Sequence, residues 1–411
     1  MAVAQRLEQL ELEIDDSKQH IKRIHSKNKG WITVAQKNPD YKQRHYTYVK
    51  LEGKEEEILS TVNAYISQNT FYKPQRRIEN IKELRALYID IDCYNTKYSK
   101  DAVLYFLEND YFNSKIPIPN LVIDSGRGLY LIWLIEPVPS HALSLWYACQ
   151  RFFYNELKKF GADAKALDPT RILRVVGTIN SKTNTSVQIV DTYKHEYTLR
   201  DIQEEFLPEV KSKIKKKGRP KNIVKLFNEY SLYHARLLDL TKICELRDYK
   251  VDGSREFILF LYRYWTCCFT EDAVEALDKA IELNAMFVPP LKKDEVVKAT
   301  KSAETCFDSK DKEYKYKNDT LIELLEITEE EQRQLKSIIG TREKYHRNNG
   351  RRKTERRNSN GLTKREQEKL DKENQIKKLI EQGLNKSKIA EELGINRSTM
   401  YRIYGSLLKG N

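Results

Sequence analysis

Across residues 31–200, apolar and polar positions alternate in short runs. Trp31–Gln36, His45–Leu51, Leu87–Asp92, Asn120–Asp124, Leu129–Ile135 and Thr185–Val190 carry this spacing, several of them rich in aromatic and β-branched residues, and each predicts a strand. After residue 225 the period becomes helical. Residues 226–310 contain a long apolar helix opened by Gly253-Ser254 (GSREFILFLYRYWTCC), with Ser254 as its expected N-cap. Residues 319–338 predict two short amphipathic helices, and 366–408 are helical again. At the N-terminus, Leu7, Leu10, Ile14, Ile21 and Ile24 lie on one face of a helix. That face either pairs with another chain or covers the sheet, and the second is the expectation. No internal repeat is present.

Charge sharpens these divisions. The chain has 411 residues and a formal charge of +13, a balance that favours a polyanionic partner. Residues 211–225 hold eight basic residues and no acidic one, and residues 341–365 hold ten basic and two acidic. Together they carry +16, which leaves the remainder at −3. Both segments are expected to be poorly ordered linkers that contact phosphates. The expected layout is an N-terminal helix (1–30), a strand-and-helix domain (31–205), a basic linker (206–225) and a helical domain (226–310). Short helices (311–340), a second basic linker (341–365) and a C-terminal domain (366–411) follow. No apolar run approaches the roughly 20 residues of a spanning helix, and no signal peptide opens the chain, so a cytoplasmic protein without membrane contact is expected. The six cysteines show no C-x-x-C spacing, which argues against a zinc site or disulfide network and for buried thiols in a reducing compartment.

Three constellations carry candidate chemistry. In LYIDIDCYN (87–95), strand alternation points Asp90 and Asp92 to one face, about 7 Å apart. Such a pair is offset either by solvent on an edge strand or by a divalent cation, and Mg²⁺ or Mn²⁺ take one or two carboxylates plus substrate phosphates. In NLVIDSGRGLYLIWLIE (120–136), two apolar strands flank Ser125-Gly126-Arg127-Gly128. The turn allows close backbone approach to a ligand, with Ser125 and Arg127 as donors. Tyr130 follows on the second strand. No G-x-x-x-x-G-K-[ST] loop occurs. In DPTRILRVVGTIN (168–180), Asp168-Pro169 reads as a helix start, which would set Arg171 and Arg174 on one helical face, suited either to phosphate or to surface ion pairs. Acid pair, glycine-bearing hairpin, then a third acid beside two arginines form a layout for a metal and a triphosphate.

The set resembles the archaeo-eukaryotic primase superfamily, in particular the primase-polymerase domains fused into replication proteins of bacterial plasmids and mobile elements. The resemblance covers about residues 31–200. It implies an α/β (α+β) catalytic domain with a mostly antiparallel sheet, followed by an all-α domain. It also implies metal binding by Asp90, Asp92 and Asp168. Ser125, Gly126, Arg127, Gly128 and Tyr130, with Arg171 and Arg174, would bind an NTP or dNTP. The family's Ser-Gly-x-Gly-x-His motif reads Ser-Gly-Arg-Gly-Leu-Tyr here, so Tyr130 stands where the family has histidine.

KSKIAEELGINRSTMYRIYG (386–405) predicts a helix-turn-helix. Ala390 stands at the helix crossing and Gly394 at the turn, with Leu393, Ile395, Met400 and Ile403 as packing residues. Its second helix is expected over about Arg397–Tyr404, presenting Arg397, Ser398, Thr399, Tyr401 and Arg402 to DNA. The expected function is that of a plasmid or mobile-element replication protein. Its C-terminal domain would bind origin duplex, and its first domain would synthesise primers on a single-stranded DNA template. No helicase motif is visible, so a separate replicative helicase would unwind. The alternative is a catalytically silent origin-binding initiator, motivated by Tyr130. A rolling-circle nickase fits poorly, because no two of the seven histidines have the His-apolar-His spacing. NTP preference, origin sequence and oligomeric state have no signature in the sequence.

Overall fold

The computed structural model of the chain describes residues 16–37, 41–207, 222–309 and 316–405. Leu7, Leu10, Ile14 and the basic run 208–221 lie outside the described residues. The chain divides into two compact units, Met1–Ile338 and Ile339–Asn411.

In the first unit, two antiparallel sheets form the framework. One has the order β2-β1-β3-β8: Tyr41–Tyr46, Ile32–Lys37, Ala64–Ser67 and Ile172–Arg174. The other has the order β11-β6-β7-β5-β4: Gln188–Thr192, Leu121–Asp124, Leu129–Pro139, Ile81–Ile91 and Thr70–Phe71. A small hairpin of β9 (Ile179–Asn180) and β10 (Thr185–Ser186) lies between them in sequence. The fold is thus mixed α/β with antiparallel sheets, as expected. Central strands β5 and β7 are 11 residues each, longer than their apolar runs. Both are buried along most of their length, so their pattern is continuous rather than alternating. The expected strand His45–Leu51 is displaced: β2 ends at Tyr46, and Tyr48–Leu51 is a short helix that buries Leu51.

Residues 16–25 are helical, and Ile21 packs into a core with Ile32, Ile66 and Val175, so the described part of the N-terminal helix does cover a sheet. Helix α1 (Lys100–Phe106) follows β5, and α2 (Leu143–Leu157) follows β7 and buries Trp146, Tyr147 and Phe153. The helical region comprises α3 (Asn222–Leu246), α4 (Arg255–Thr270), α5 (Ala273–Asn284), α6 (Lys293–Ala299) and α7 (Lys301–Asp308). The Tyr147 hydroxyl donates to the Phe269 carbonyl at 3.1 Å and the Tyr262 hydroxyl to Glu79 at 3.0 Å, so this region docks on the strand region within one unit. Helix α4 starts where the sequence puts it, but Ser254 makes no side-chain cap. The two short helices are α8 (Asn318–Leu324) and α9 (Glu329–Gln334). Five of the six cysteines are buried, and none forms a disulfide.

The second unit is helical: α10 (Thr341–Glu355), α11 (Lys364–Glu381), α12 (Lys386–Glu392) and α13 (Arg397–Tyr404). The segment 341–365 is therefore not a disordered linker. It contains no proline, and Glu343–Arg347 (2.6 Å) and Arg351–Glu355 (3.4 Å) pair one turn apart along α10, which offsets repulsion among its cations.

Candidate active site

An open cleft of about 610 Å³ lies in the first unit. Its strand-region side is built from β5, whose last residues carry Asp90 and, just beyond, Asp92. Asp90 is the register partner of Tyr130 on β7, so the acid pair and Tyr130 meet at one place. The two carboxylates share the cleft, as alternation requires.

Both are held above the ordinary carboxylate range. Burial pushes the Asp90 carboxyl up to about 7; Asp92 and Asp163 add to this, and Arg171 opposes it. Burial also raises Asp92, again with help from Asp163. Asp163 is an acid that the sequence reading passed over. Its N–H donates to the Asp90 carbonyl at 2.7 Å, and the Asp92 N–H donates to the Gly161 carbonyl at 2.8 Å. This short antiparallel contact brings Asp163 near enough to act on both carboxylates electrostatically, while its own side chain pairs with Arg171. No periodicity announces it in GADAK; only the β5 partner does.

The glycine turn forms as expected, with Asp124 opposite Leu129 and Gly126 at φ +97°. Its tight approach, however, is to the protein itself. A Cβ on Gly128 would stand 2.0 Å from the Ile91 carbonyl oxygen, and one on Gly126 would stand 2.6 Å from Thr183 Oγ1. The Ser125 hydroxyl donates to the Gly128 carbonyl at 3.0 Å, so it braces the turn. Arg127 projects at the cleft and stacks on Tyr94, 3.6 Å from the ring centre to the guanidinium carbon. Tyr130 is buried, and burial beside Asp90 raises its phenol well above the usual range, so it stands there as a neutral hydroxyl.

The third constellation departs from expectation. No helix starts at Asp168. Asp168 ends a 3₁₀ turn, and its Oδ1 accepts the Thr170 N–H at 2.8 Å, the two-residue turn that Asp makes with its own backbone. Pro169 sits in that turn, and Arg171 and Arg174 flank and end strand β8 rather than share a helical face. Both still line the cleft. Arg171 lies 3.2 Å from Asp163 and 3.8 Å from Asp90, while Arg174 donates to Asn63 at 2.7 Å and stacks on Tyr65. Asp168 is fully buried outside the cleft lining, held by the Thr170 hydroxyl at 2.9 Å and the Lys279 ammonium at 3.4 Å. Lys37, Arg76, Asn180 and Lys182 complete this side, and α5 supplies the opposite side with Glu275, Asp278, Lys279 and Glu282. These residues come from separate stretches of chain, and nothing local singles them out.

The acid pair suits a hard divalent cation: two poorly neutralised carboxylates in one cleft, beside cations able to hold phosphate. Asp168 does not suit it, because an ammonium already neutralises it. Among the described residues, no three acidic, histidine or cysteine side chains converge as a ready metal cage. Nor is any helix among them long and apolar enough to cross a membrane.

In the second unit, Ile376, Ile389, Ala390, Met400 and Tyr404 form the core. Ala390 and Gly394 (φ +60°) take their expected places, and α13 spans the expected residues. Ile403 does not pack; it is 41% exposed, and Tyr404, one turn after Met400, fills the core instead. Arg397, Ser398, Tyr401 and Arg402 are exposed and Thr399 is partly so. The Asn396 side chain caps α13 and takes the Ser398 hydroxyl at 3.0 Å.

The helix-turn-helix domain of resolvase matches residues 367–406. The chain resembles the AEP domain of the Cyanophage S-2L primase-polymerase, at 16% identity and a TM-score of 0.36, over 47% of this chain and 97% of that one. It also resembles the catalytic domain of primase RepB' in complex with initiator DNA, at 12% identity and a TM-score of 0.33, over 47% and 94%. A replication protein of Clostridium perfringens is 57% identical over 326 residues, 79% of each chain. At that identity and coverage, the chain belongs to the family of this replication protein.

Proposed function

We propose that the first unit is a metal-dependent nucleotidyltransferase that primes single-stranded DNA, and that the helix-turn-helix binds duplex DNA at an origin. The observation that carries the catalytic reading is the meeting in one cleft of Asp90 and Asp92 with Arg127, Arg171, Arg174, Lys37 and Lys182. Carboxylates for a cation beside cations for phosphate are the parts phosphoryl transfer needs, since positioning and charge stabilisation do most of the work there.

In this reading Asp90 and Asp92 hold Mg²⁺ or Mn²⁺, which supplies positive charge to the phosphates when bound. Arg171 and Arg174, with Lys37 and Lys182, grip the nucleoside triphosphate, and Arg127 closes on it from the turn. A 3′-hydroxyl gives up its proton to solvent in the open cleft and its oxygen bonds to the α-phosphorus, the bond from that phosphorus to the α–β bridging oxygen breaks, and pyrophosphate leaves with that bond's electron pair. Tyr130, a neutral phenol beside Asp90, donates a hydrogen bond where the family's histidine would. A separate helicase would supply the single strand.

The test is primer synthesis on circular single-stranded DNA with labelled nucleotides and Mg²⁺ or Mn²⁺. Short products from the wild type that vanish with Asp90→Ala are expected; no product from the wild type removes the enzyme reading. One observation favours a second reading, a silent origin-binding initiator: Lys279 neutralises Asp168. Origin binding and replication that survive Asp90→Ala with Asp92→Ala would establish it.

A further inference from the structure

The two sides of the cleft carry opposite net charge: cations outnumber Asp90, Asp92 and Asp163 on one, and acids outnumber Lys279 on the other. Lys37, Arg76, Arg127, Arg171, Arg174 and Lys182 stand on the strand-region side. Asp272, Glu275, Asp278 and Glu282 come from α5 and its N-cap, spaced three or four apart on one face. At the centre Glu275 reaches across. It accepts from Arg76 Nη1 at 2.7 Å and lies 3.6 Å from the Lys279 ammonium. Arg76 is fixed from behind, donating to the Thr170 carbonyl at 2.8 Å and to the Tyr41 hydroxyl at 3.1 Å. Lys279 donates to the Thr170 hydroxyl at 2.5 Å and also lies 3.4 Å from the buried Asp168 carboxylate, so it serves both acids at once.

Two properties set this cluster apart from a structural ion-pair network. The cations are sunk, with Arg76 and Lys279 side chains 8% and 3% exposed, while the carboxylate they hold is 18% exposed and faces the cleft. Burial opposes the charged form of Glu275, but Lys279, Arg76 and Arg171 outweigh it and hold the carboxyl below its ordinary range. In addition, the neighbouring Arg171 keeps a buried Nε with no hydrogen-bond partner among the described residues. A fixed guanidinium, an ammonium and a spare N–H donor are the groups that recognise a phosphate, with the arginine able to present two N–H groups at once.

We propose that Arg76 and Lys279, with the Nε of Arg171, form a phosphate subsite for the polyphosphate tail of a nucleoside triphosphate, and that Glu275 fills it as an internal stand-in that the tail displaces. This rests on the nucleotidyltransferase reading and deepens it. The subsite belongs jointly to the strand region and to α5, so the helical region takes part in nucleotide binding. The other α5 carboxylates repel the same tail, so a nucleotide enters by loosening α5 from the cation side.

The experiment uses the full chain and two variants, Glu275→Gln and Arg76→Met. Three probes are compared: inorganic triphosphate, a nucleoside triphosphate, and a single-stranded oligonucleotide without a terminal phosphate. Binding is read both directly and as the rise in unfolding temperature at saturating probe, so a destabilised variant stays informative. Glu275→Gln should melt lower without probe, yet bind inorganic and nucleoside triphosphate about tenfold tighter, the worth of one competing charged hydrogen bond removed. Arg76→Met should weaken both by a similar factor. Unchanged or weaker triphosphate binding by Glu275→Gln overturns the proposal, as does a gain confined to the oligonucleotide, which would assign the cations to the DNA backbone. Primer synthesis is measured alongside. Wild-type synthesis that depends on Asp90, without the gain in Glu275→Gln, sinks the subsite and leaves the enzyme standing. The gain without synthesis by the wild type keeps the subsite and sinks the enzyme.

Discussion

The cleft and the helix-turn-helix place charge in opposite ways. In the cleft, Asp90, Arg76, Arg171 and Lys279 are sunk among one another, drawn from segments up to about two hundred residues apart. In the C-terminal unit the polar side chains point outward, over a small core of Ile376, Ile389, Ala390, Met400 and Tyr404 supplied by three neighbouring helices. Buried charge interacts strongly and is costly to leave unpaired, so the cleft stores functional energy at the expense of stability. Exposed charge costs the fold little, and there the small core carries the stability. Substitutions should therefore trade stability for activity in the cleft, and should separate the two in the C-terminal unit.

Asp90→Asn should have the largest effect. Loss of a carboxylate that holds a catalytic cation removes several kcal/mol of transition-state stabilisation, so primer synthesis should fall on the order of a thousandfold or more. The fold should move the other way. A carboxyl raised from its ordinary value to about 7 in the folded chain penalises folding as pH climbs from about 4, fully so above 7, because the unfolded chain ionises first. The variant should thus melt higher than the wild type at pH 8, and the gain should vanish near pH 4. An Asn variant that is inactive and also less stable at pH 8 would mean that Asp90 is structural.

In the C-terminal unit, Met400→Ala should have no such compensation. Met400 is fully buried. Truncating a buried methionine costs about 2–5 kcal/mol, comparable with the whole stability of so small a core. Duplex DNA binding should be lost while primer synthesis on single strands persists. Loss of both together would mean that the two units do not fold and act independently.

Acid should divide the units as well. His20 and His25 are fully buried in the first unit, lowered to about 4 and about 3 by burial, with Arg23 beside one and Arg85 beside the other. The unfolded chain takes protons at these positions from about pH 6.5, and the folded chain only near 3–4. Stability of the first unit should therefore fall on the order of a few kcal/mol between pH 6.5 and 4. The described residues of the C-terminal unit bury no histidine. All four tryptophans (Trp31, Trp133, Trp146, Trp265) lie in the first unit, so fluorescence reports that unit selectively. The Asp90→Asn background removes the carboxyl raised to about 7; Asp92, Glu79 and Asp278 are also raised and oppose the fall in part. A fluorescence melting temperature there that is equal at pH 7 and pH 4.5 would refute the assignment.

The same contrast explains what the sequence discloses. The helix-turn-helix is written within some forty residues, and its crossing alanine, turn glycine and second helix are all legible because i, i+3 and i+4 spacing decides them. Even there, which of Ile403 and Tyr404 faces inward is settled only by packing against Ile376 and Ile389 of the other helices. In the cleft, what one strand or one turn determines is equally legible: the shared face of Asp90 and Asp92, and the hairpin at Gly126. Asp168 shows the limit. Asp-Pro reads as a helix start, but Asp also makes a turn with its own backbone, and the pairing of β8 with β3, a hundred residues upstream, goes with the turn. Arg76, Asp163, Glu275 and Lys279 acquire their roles only through tertiary contacts, so no local pattern marks them.

The smallest expected effect pits one arginine against another. Arg76 is sunk in the cleft and tied to Glu275, Thr170 and Tyr41, so replacing it should lower the melting temperature as well as phosphate binding. Arg397 is exposed at the first position of α13, and Asn396 caps that helix by taking the Ser398 N–H at 3.1 Å. The cap occupies Ser398 and leaves Arg397 available at the positive end of the helix, where a DNA phosphate is the expected contact. Arg397→Ala should leave the melting temperature unchanged, since exposed substitutions stay within about 0.5 kcal/mol. It should weaken duplex binding by about the same factor on every sequence and reduce the slope of log affinity against log salt by about one. A loss confined to one sequence, with the salt slope intact, would place Arg397 on a base edge instead, and the contrast with Arg76 would then be between structure and sequence reading rather than between structure and charge.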